Sequence, residues 1–268
     1  MMSVTKQDQL FFFLGGRDLE MLTIRELLER HAPFAFCDKN LVWGAKASDY
    51  KEEIEKAIIQ GKTPVFIELT VDLDLADEQI ITIDHHGKRA GSDKPTSLHQ
   101  VFELLNLPSE QWTRWHDLVA ANDRGHIKAM KEIGATQEEI KQVRAADRRA
   151  QGVTEEEEQK AEEAVRNARV LLDGKLTAVN LPHSRTSPIT DRLEKDLSGT
   201  GYENLLVISP DQVNFFGTGQ IIQALNKQFQ GGWYGGSLPE WGFWGGYFVG
   251  EEVLKFLCEF LEEVVNTK

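Results

Sequence analysis

The chain has 268 residues, 41% of them hydrophobic, and a formal net charge of −13. That length suits one large domain or two modest ones around a buried core, and nothing in the composition marks disorder. The acidic balance argues against a broad grip on duplex nucleic acid, which relies on many Lys and Arg contacts, and no apolar run reaches the length of a membrane span.

Two cysteines, Cys37 and Cys258, stand far apart and form no metal-type spacing. Reduced thiols in a cytoplasmic protein are therefore expected. Gln9 to Leu14 is too short for the apolar core of a signal peptide.

Leu10 to Leu14, closed by Gly15-Gly16, predicts a buried strand. A helix follows from about Leu22 to His31, with Ile24, Leu27 and Leu28 on one face. Phe34-Ala35-Phe36 and Leu41-Val42-Trp43 read as short strands, and Tyr50 to Gln60 as a helix stopped by Gly61. Val65 to Leu69 and Ile80 to Ile83 are the next strands, the second running into Asp84-His85-His86-Gly87. Leu98, Val101, Phe102 and Leu105 recur at helical spacing, and Trp112 to Ala121 reads as another helix that ends before Asn122-Asp123-Arg124-Gly125-His126. Strands alternating with helices predict an α/β fold with a mostly parallel, helix-covered sheet in an N-terminal domain spanning about 1–135.

The composition then shifts to Glu, Lys, Arg, Gln and Ala, which predicts a helical connector over 136–174. Two helices meet at Gly152, and Thr154 with Glu157 forms a capping box. A smaller α/β C-terminal domain occupies 175–268. Its expected strands are Leu176–Leu181, Asn204–Ser209 and Val213–Gly217, and a helix runs from Gly219 to Phe229. A stretch rich in glycine and aromatics follows between Gly231 and Gly246. Val249, Val253, Leu257, Phe260, Leu261 and Val264 mark a final amphipathic helix.

The chemistry-bearing residues gather after the first-half strands. Asp18 and Glu20 follow the first strand, Glu68 lies in the next, Asp84, His85 and His86 end the one after, and Asp123 lies in a break after a helix. Ligands of α/β sheets collect beyond the carboxyl ends of the strands. Oxygen-rich sets with one or two imidazoles suit Mn²⁺ or Mg²⁺ better than Zn²⁺. Two such ions about 4 Å apart can activate a water and neutralise a phosphoryl group during in-line attack. Taken singly, each acid is more often a helix cap or a solvated loop residue than a ligand.

Ile83-Asp84-His85-His86-Gly87 resembles the signature motif of the DHH phosphoesterases. Leu14-Gly15-Gly16-Arg17-Asp18-Leu19-Glu20 occupies the place of that family's H-x-x-x-D-x-D motif, Glu68 fits its second acid, and Asp123-Arg124-Gly125 fits its fourth motif. The C-terminal third is similar to a DHHA1 domain, with Gly231-Gly232-Trp233-Tyr234-Gly235-Gly236 in place of its glycine-rich motif. The resemblance implies one metal ion on Glu20, Glu68, His85 and Asp123, and a second on Asp18 and a shared Glu68. It also implies that His86 faces the substrate phosphate and that Asp84 supports His85, both with catalytic roles. The chain departs from the family pattern at Leu14, where the family has a histidine, and at Glu20 and Glu68, where it has aspartates.

Arg124, His183, Arg185, Gly235 and Gly236 are the further candidates for substrate binding, and Arg17 and His126 stand beside proposed ligands. A stacked base beside the catalytic edge and an aromatic cluster packing on the last helix are both open readings of the glycine and aromatic stretch. The expected function is a metal-dependent phosphohydrolase that uses metal-activated water, with one or two Mn²⁺ or Mg²⁺ ions. It would cleave a phosphodiester or phosphomonoester in a small nucleotide-type substrate, such as a short oligonucleotide. A hydrolase of pyrophosphate or polyphosphate, and a relative that binds a phosphorylated ligand without turnover, are the alternatives. The oligomeric state is left open, a homodimer included.

Overall fold

A computed structural model describes residues 9–85, 94–247 and 251–266. The chain divides into two compact units, Met1–Gly152 and Val153–Lys268. The stretch expected as a connector is split between them, one helix to each. No described helix is long and apolar enough to cross a membrane.

The first unit is built on a four-stranded parallel sheet. Its strands are β1 (Leu10–Leu14), β2 (Phe36–Cys37), β3 (Thr63–Ile67) and β4 (Ile81–Ile83), in the order β2-β1-β3-β4. Side chains alternate across a strand, so Phe13 and Phe66 turn to one face and pack with Tyr50, Ile54 and Ala57. The last two lie on α2 (Lys51–Ile59). Phe12, Leu14, Val65 and Ile67 are equally buried, on the opposite face. Helix α1 (Leu19–His31) buries Ile24, Leu27 and Leu28 and packs against α3 (Ser97–Leu104), α4 (Arg114–Glu132) and α5 (Gln137–Ala150).

Several boundaries differ from expectation for local reasons. Helix α1 opens three residues early because the Asp18 side chain accepts from the Met21 N–H and caps it. Strand β3 stops before Glu68, whose backbone turns to a φ of 53°. Leu41-Val42-Trp43 is a loop, since beyond Cys37 the chain leaves β1 and Leu41 accepts instead from the Arg17 N–H at 2.8 Å. Helix α4 runs on to Glu132, interrupted by non-helical backbone at Gly125 and His126.

The second unit is a six-stranded mixed sheet of β5 (Arg169–Leu171), β6 (Leu176–Asn180), β7 (Leu205–Ile208), β8 (Val213–Thr218), β9 (Trp233–Ser237) and β10 (Trp241–Gly246). The order is β5-β6-β7-β8-β10-β9, and only the β6–β7 pair is parallel. On one face Leu206, Val213, Phe215 and Trp244 pack with α8 (Gly219–Gln228) and α9 (Glu251–Asn266) through Ile221, Ile222, Leu225, Leu257 and Leu261. On the other, Val179, Leu205 and Val207 pack with α6 (Glu155–Arg166) and α7 (Ser187–Leu193). The Thr154–Glu157 capping box is present at the start of α6. Val249, assigned to the last helix from its spacing, lies outside the described residues.

Three elements were not foreseen: the short helix α7 (Ser187–Leu193), strand β5 and the hairpin β9–β10. Strand β5 falls where a charged helix was expected, and is an exposed edge strand paired with β6. The glycine and aromatic stretch is the hairpin β9–β10.

Candidate metal centre

Register places the candidate ligands at one edge. Leu14 pairs with Ile67 and Ile67 with Ile83, so β1, β3 and β4 end side by side. The residues that follow, Gly15 to Asp18, Glu68, and Asp84 with His85, emerge together from the carboxyl edge of the sheet. Polar groups cannot sit within the buried run of these strands without cost, so the strand ends are where they collect.

His85 is the hub. Its Nε2 lies 3.6 Å from Glu20 Oε2 and 3.5 Å from Glu68 Oε1, and it is ion-paired with Asp123 Oδ2. One ligand atom from each of the four residues lies within 4.8 Å of the others. Glu20 comes from the first turn of α1 and Asp123 from the long helix α4. The His85 and Glu20 side chains are 7% and 1% exposed, so the charges meet away from bulk water.

Helix α3 holds two of the carboxylates at its N-terminus. The Leu98 N–H donates to Glu20 Oε1 at 2.9 Å, and Ser97 Oγ donates to Glu68 Oε1 at 2.8 Å. Open N–H groups and the helix dipole favour negative charge at this end. Neither contact was foreseen, although Pro95-Thr96-Ser97 is a recognisable helix-start signal.

A second layer lies behind the cluster. Arg144 donates to Asp147 Oδ2 at 2.8 Å, and Asp147 Oδ1 accepts from the Leu19 N–H at 3.3 Å, in the turn that carries Glu20. Arg144 also reaches Asn122, the residue before Asp123.

The electrostatics report crowding of like charge. Burial pushes Glu68 well above the usual carboxylate range, and the charges of Glu20, Asp123 and Asp18 add to it. Burial also pushes Asp18 up to about 8, against the helping hydrogen bond from Met21 and with the charges of Asp123, Glu20 and Asp147. For His85 burial opposes the imidazolium, but hydrogen bonding to Asp123 and Glu20 outweighs it and carries the group up to about 10. Glu20 Oε2 is buried and, beyond the 3.6 Å ion pair with His85, has no partner within hydrogen-bond distance. Three carboxylates and one imidazole nitrogen converging in a desolvated pocket fit a hard divalent cation. Glu68 also has left-handed backbone, a conformation costly for a residue with a Cβ and typical of functional sites.

The other candidates fall as follows. Asp18 spends Oδ1 on the α1 cap and stands outside the four-residue group. The carbonyl of Asp84 accepts from Gln100 at 3.3 Å. His86 lies outside the described residues. Arg124 is exposed next to Asp123. Leu14 is fully buried in β1.

In the second unit, His183 bonds the Glu157 carbonyl through Nε2 at 3.0 Å and accepts from the Arg185 N–H through Nδ1 at 3.3 Å. Arg185 Nε pairs with Glu157 at 3.5 Å. Gly235 lies under the Phe243 ring, where a Cβ would come within 2.9 Å of Cζ, and Gly236, at a φ of 107°, packs on Gly242. Gly235 thus leaves room for the Phe243 ring of the opposite strand, and Gly236 for the close approach of the two backbones.

No family model and no curated protein matches the chain. Solved structures do. An exopolyphosphatase-related protein from Bacteroides fragilis superposes with a TM-score of 0.51 at 15% identity, over 97% of this chain and 93% of that one. RecJ from Thermus thermophilus in complex with Mn²⁺ gives 0.48 at 10% identity, over 98% of this chain and 53% of RecJ. A pGpG-specific phosphodiesterase from Vibrio cholerae gives 0.43 at 10% identity, over 97% and 99%. Scores below 0.5 add nothing to the assignment, which rests on the first of these together with the sheet and its Asp84-His85 edge. The chain shares its fold with that exopolyphosphatase-related protein, in keeping with the resemblance of its motifs to the DHH phosphoesterases.

Proposed function

We propose that the protein is a metal-dependent phosphohydrolase acting on a small nucleotide-type phosphoester. The observation that carries this reading is the convergence of Glu20, Glu68, His85 and Asp123 at the carboxyl edge of the parallel sheet. These four residues would hold one Mn²⁺ or Mg²⁺ ion. When bound, the ion supplies a Lewis acid that neutralises phosphoryl charge and lowers the pKa of water. Ser97 and the Leu98 N–H fix the two glutamates in place, which limits reorganisation when charge develops. In this reading His86 and Arg124 address the phosphoryl oxygens, and the reaction takes place in the first unit's edge.

A second reading is favoured by Leu14. It is wholly buried and offers no donor where the resemblance implies an imidazole for a second ion. A single-ion site of this kind suits a protein that binds a phosphorylated ligand without turning it over.

Metal analysis combined with phosphate release separates the two. The substrates are dinucleotides, cyclic dinucleotides, 3′,5′-bisphosphate nucleotides and pyrophosphate, each with Mn²⁺ and with Mg²⁺. Turnover that disappears in His85→Ala and Asp123→Ala, with circular dichroism unchanged, supports the hydrolase. Tight ligand binding without turnover under either metal overturns it in favour of the binder. Preference for pyrophosphate over every ester would move the reading to a phosphoanhydride substrate.

A further inference from the structure

Two glycines join the candidate metal centre to an exposed tryptophan. A Cβ on Gly15 would lie 2.7 Å from the Glu68 carbonyl oxygen, and a Cβ on Gly16 would lie 3.0 Å from Trp43 Cα. Without side chains, the loop leaving β1 therefore presses on Glu68 with one residue and on the Val42-Trp43 backbone with the next. The Arg17 N–H then donates to the Leu41 carbonyl at 2.8 Å, pinning the two loops together.

The Trp43 loop is braced from behind. Asp38 accepts from Arg25 at 3.2 Å and from the Asn40 N–H at 2.7 Å. The Lys39 N–H donates to Tyr50 Oη at 3.0 Å, and that hydroxyl donates to the Leu14 carbonyl at 2.7 Å, at the end of the strand that leads into the site. Tyr50 itself is fully buried. Yet Trp43 is 93% exposed and Val42 79%. The brace fixes the backbone of this loop while its indole takes no part in core packing, so the ring's π-face is presented to solvent.

We infer that Trp43 is a stacking platform for the nucleobase of a nucleotide whose phosphate lies at the Glu20, Glu68, His85 and Asp123 cluster. The inference rests on the phosphohydrolase reading and names the part of the substrate that the cluster does not touch. Every base has a π-face, so an exposed indole accepts any of them, whereas polyphosphate offers no ring to stack. Exposed Arg17 lies on the loop between platform and cluster, where a sugar-phosphate backbone would pass.

The test compares the full-length wild type with Trp43→Ala and Trp43→Phe, on the dinucleotide ApA and on pyrophosphate with Mn²⁺. Trp43→Ala is expected to raise the KM for ApA relative to that for pyrophosphate by roughly five- to hundredfold, the range of one lost base stack, with kcat for ApA nearly kept. Trp43→Phe is expected to restore most of the loss. An unchanged ratio overturns the proposal, as does an equal loss on both substrates, which would mark a structural role for the loop. A fall in molecular mass of Trp43→Ala by sedimentation also overturns it, because the indole would then be a contact between copies. If the wild type hydrolyses nothing, the hydrolase reading fails by itself. The platform is then judged on ApA affinity by calorimetry with Mn²⁺, where equal affinities of wild type and Trp43→Ala overturn it.

Discussion

Arg144 Nη1 donates to Asn122 Oδ1 at 2.9 Å, so a guanidinium on α5 holds the residue immediately before Asp123. The same Nη1 pairs with Asp147, and all three side chains are buried. Arg144→Met leaves a carboxylate buried without its cation, and is expected to cost about 3–5 kcal/mol in urea unfolding. The double variant with Asp147→Leu is expected to recover much of that loss, since an intact apolar pair is often no worse than an ion pair. A single variant as stable as the wild type would show that the network does not support the fold.

Ser97 is a lever on metal binding. Ser97→Ala removes the hydroxyl that orients Glu68. Groups behind a metal ligand are worth about 10–100-fold in affinity, so Mn²⁺ binding measured by calorimetry should weaken by about tenfold. Folding stability should fall by only about 1 kcal/mol. Unchanged affinity would mean that the backbone alone sets Glu68.

Glu68 should cost the metal-free protein stability. Its backbone is left-handed, and its carboxyl is crowded by Glu20, Asp123 and Asp18. Asn tolerates left-handed backbone and brings no charge. Glu68→Asn in the presence of chelator is expected to be more stable by about 1 kcal/mol, while Mn²⁺ no longer protects the variant from heat. A less stable variant in chelator would refute the strain.

Glu139 provides a pH-dependent contact away from the site. Its hydrogen bond from Arg114, and then that from the Thr136 N–H, hold its carboxyl down at about 2, below the ordinary 4.5. A depressed carboxyl stabilises the fold fully above the unfolded value, and the contribution fades as the pH falls through about 2. A carbon-13 titration of the Glu139 carboxyl should show this, and Arg114→Gln should move the midpoint back up. A wild-type midpoint near 4.5 would sink the assignment.

Much of the first unit was legible because its strands are unbroken apolar runs. Leu10–Leu14 and Ile81–Ile83 could be read closely, and the acids that follow them were found for the same reason. Helix ends were harder. The break expected over Asn122 to His126 is present at Gly125 and His126, but Asp123 itself is still helical, and the helix resumes with Ala129 and Met130 buried. The hairpin β9–β10 escaped because glycines replace the β-branched residues that usually mark strands. Rings supplied by the opposite strand cover those glycines, as Phe243 does over Gly235, and a cross-strand pairing is not visible in local sequence. The grip of α3 on Glu20 escaped for a different reason: its donor is a peptide N–H, which every residue but proline possesses.

That last contact sets which changes the centre can feel. Side-chain replacement at position 98 leaves the amide in place, and only Leu98→Pro would delete it. Drift at this position is therefore silent toward the site as long as the helix start holds. The same amide is also a built-in gauge: its hydrogen exchanges with solvent only when the first turn of α3 unlatches from Glu20, so its exchange rate counts how often that corner of the protein opens.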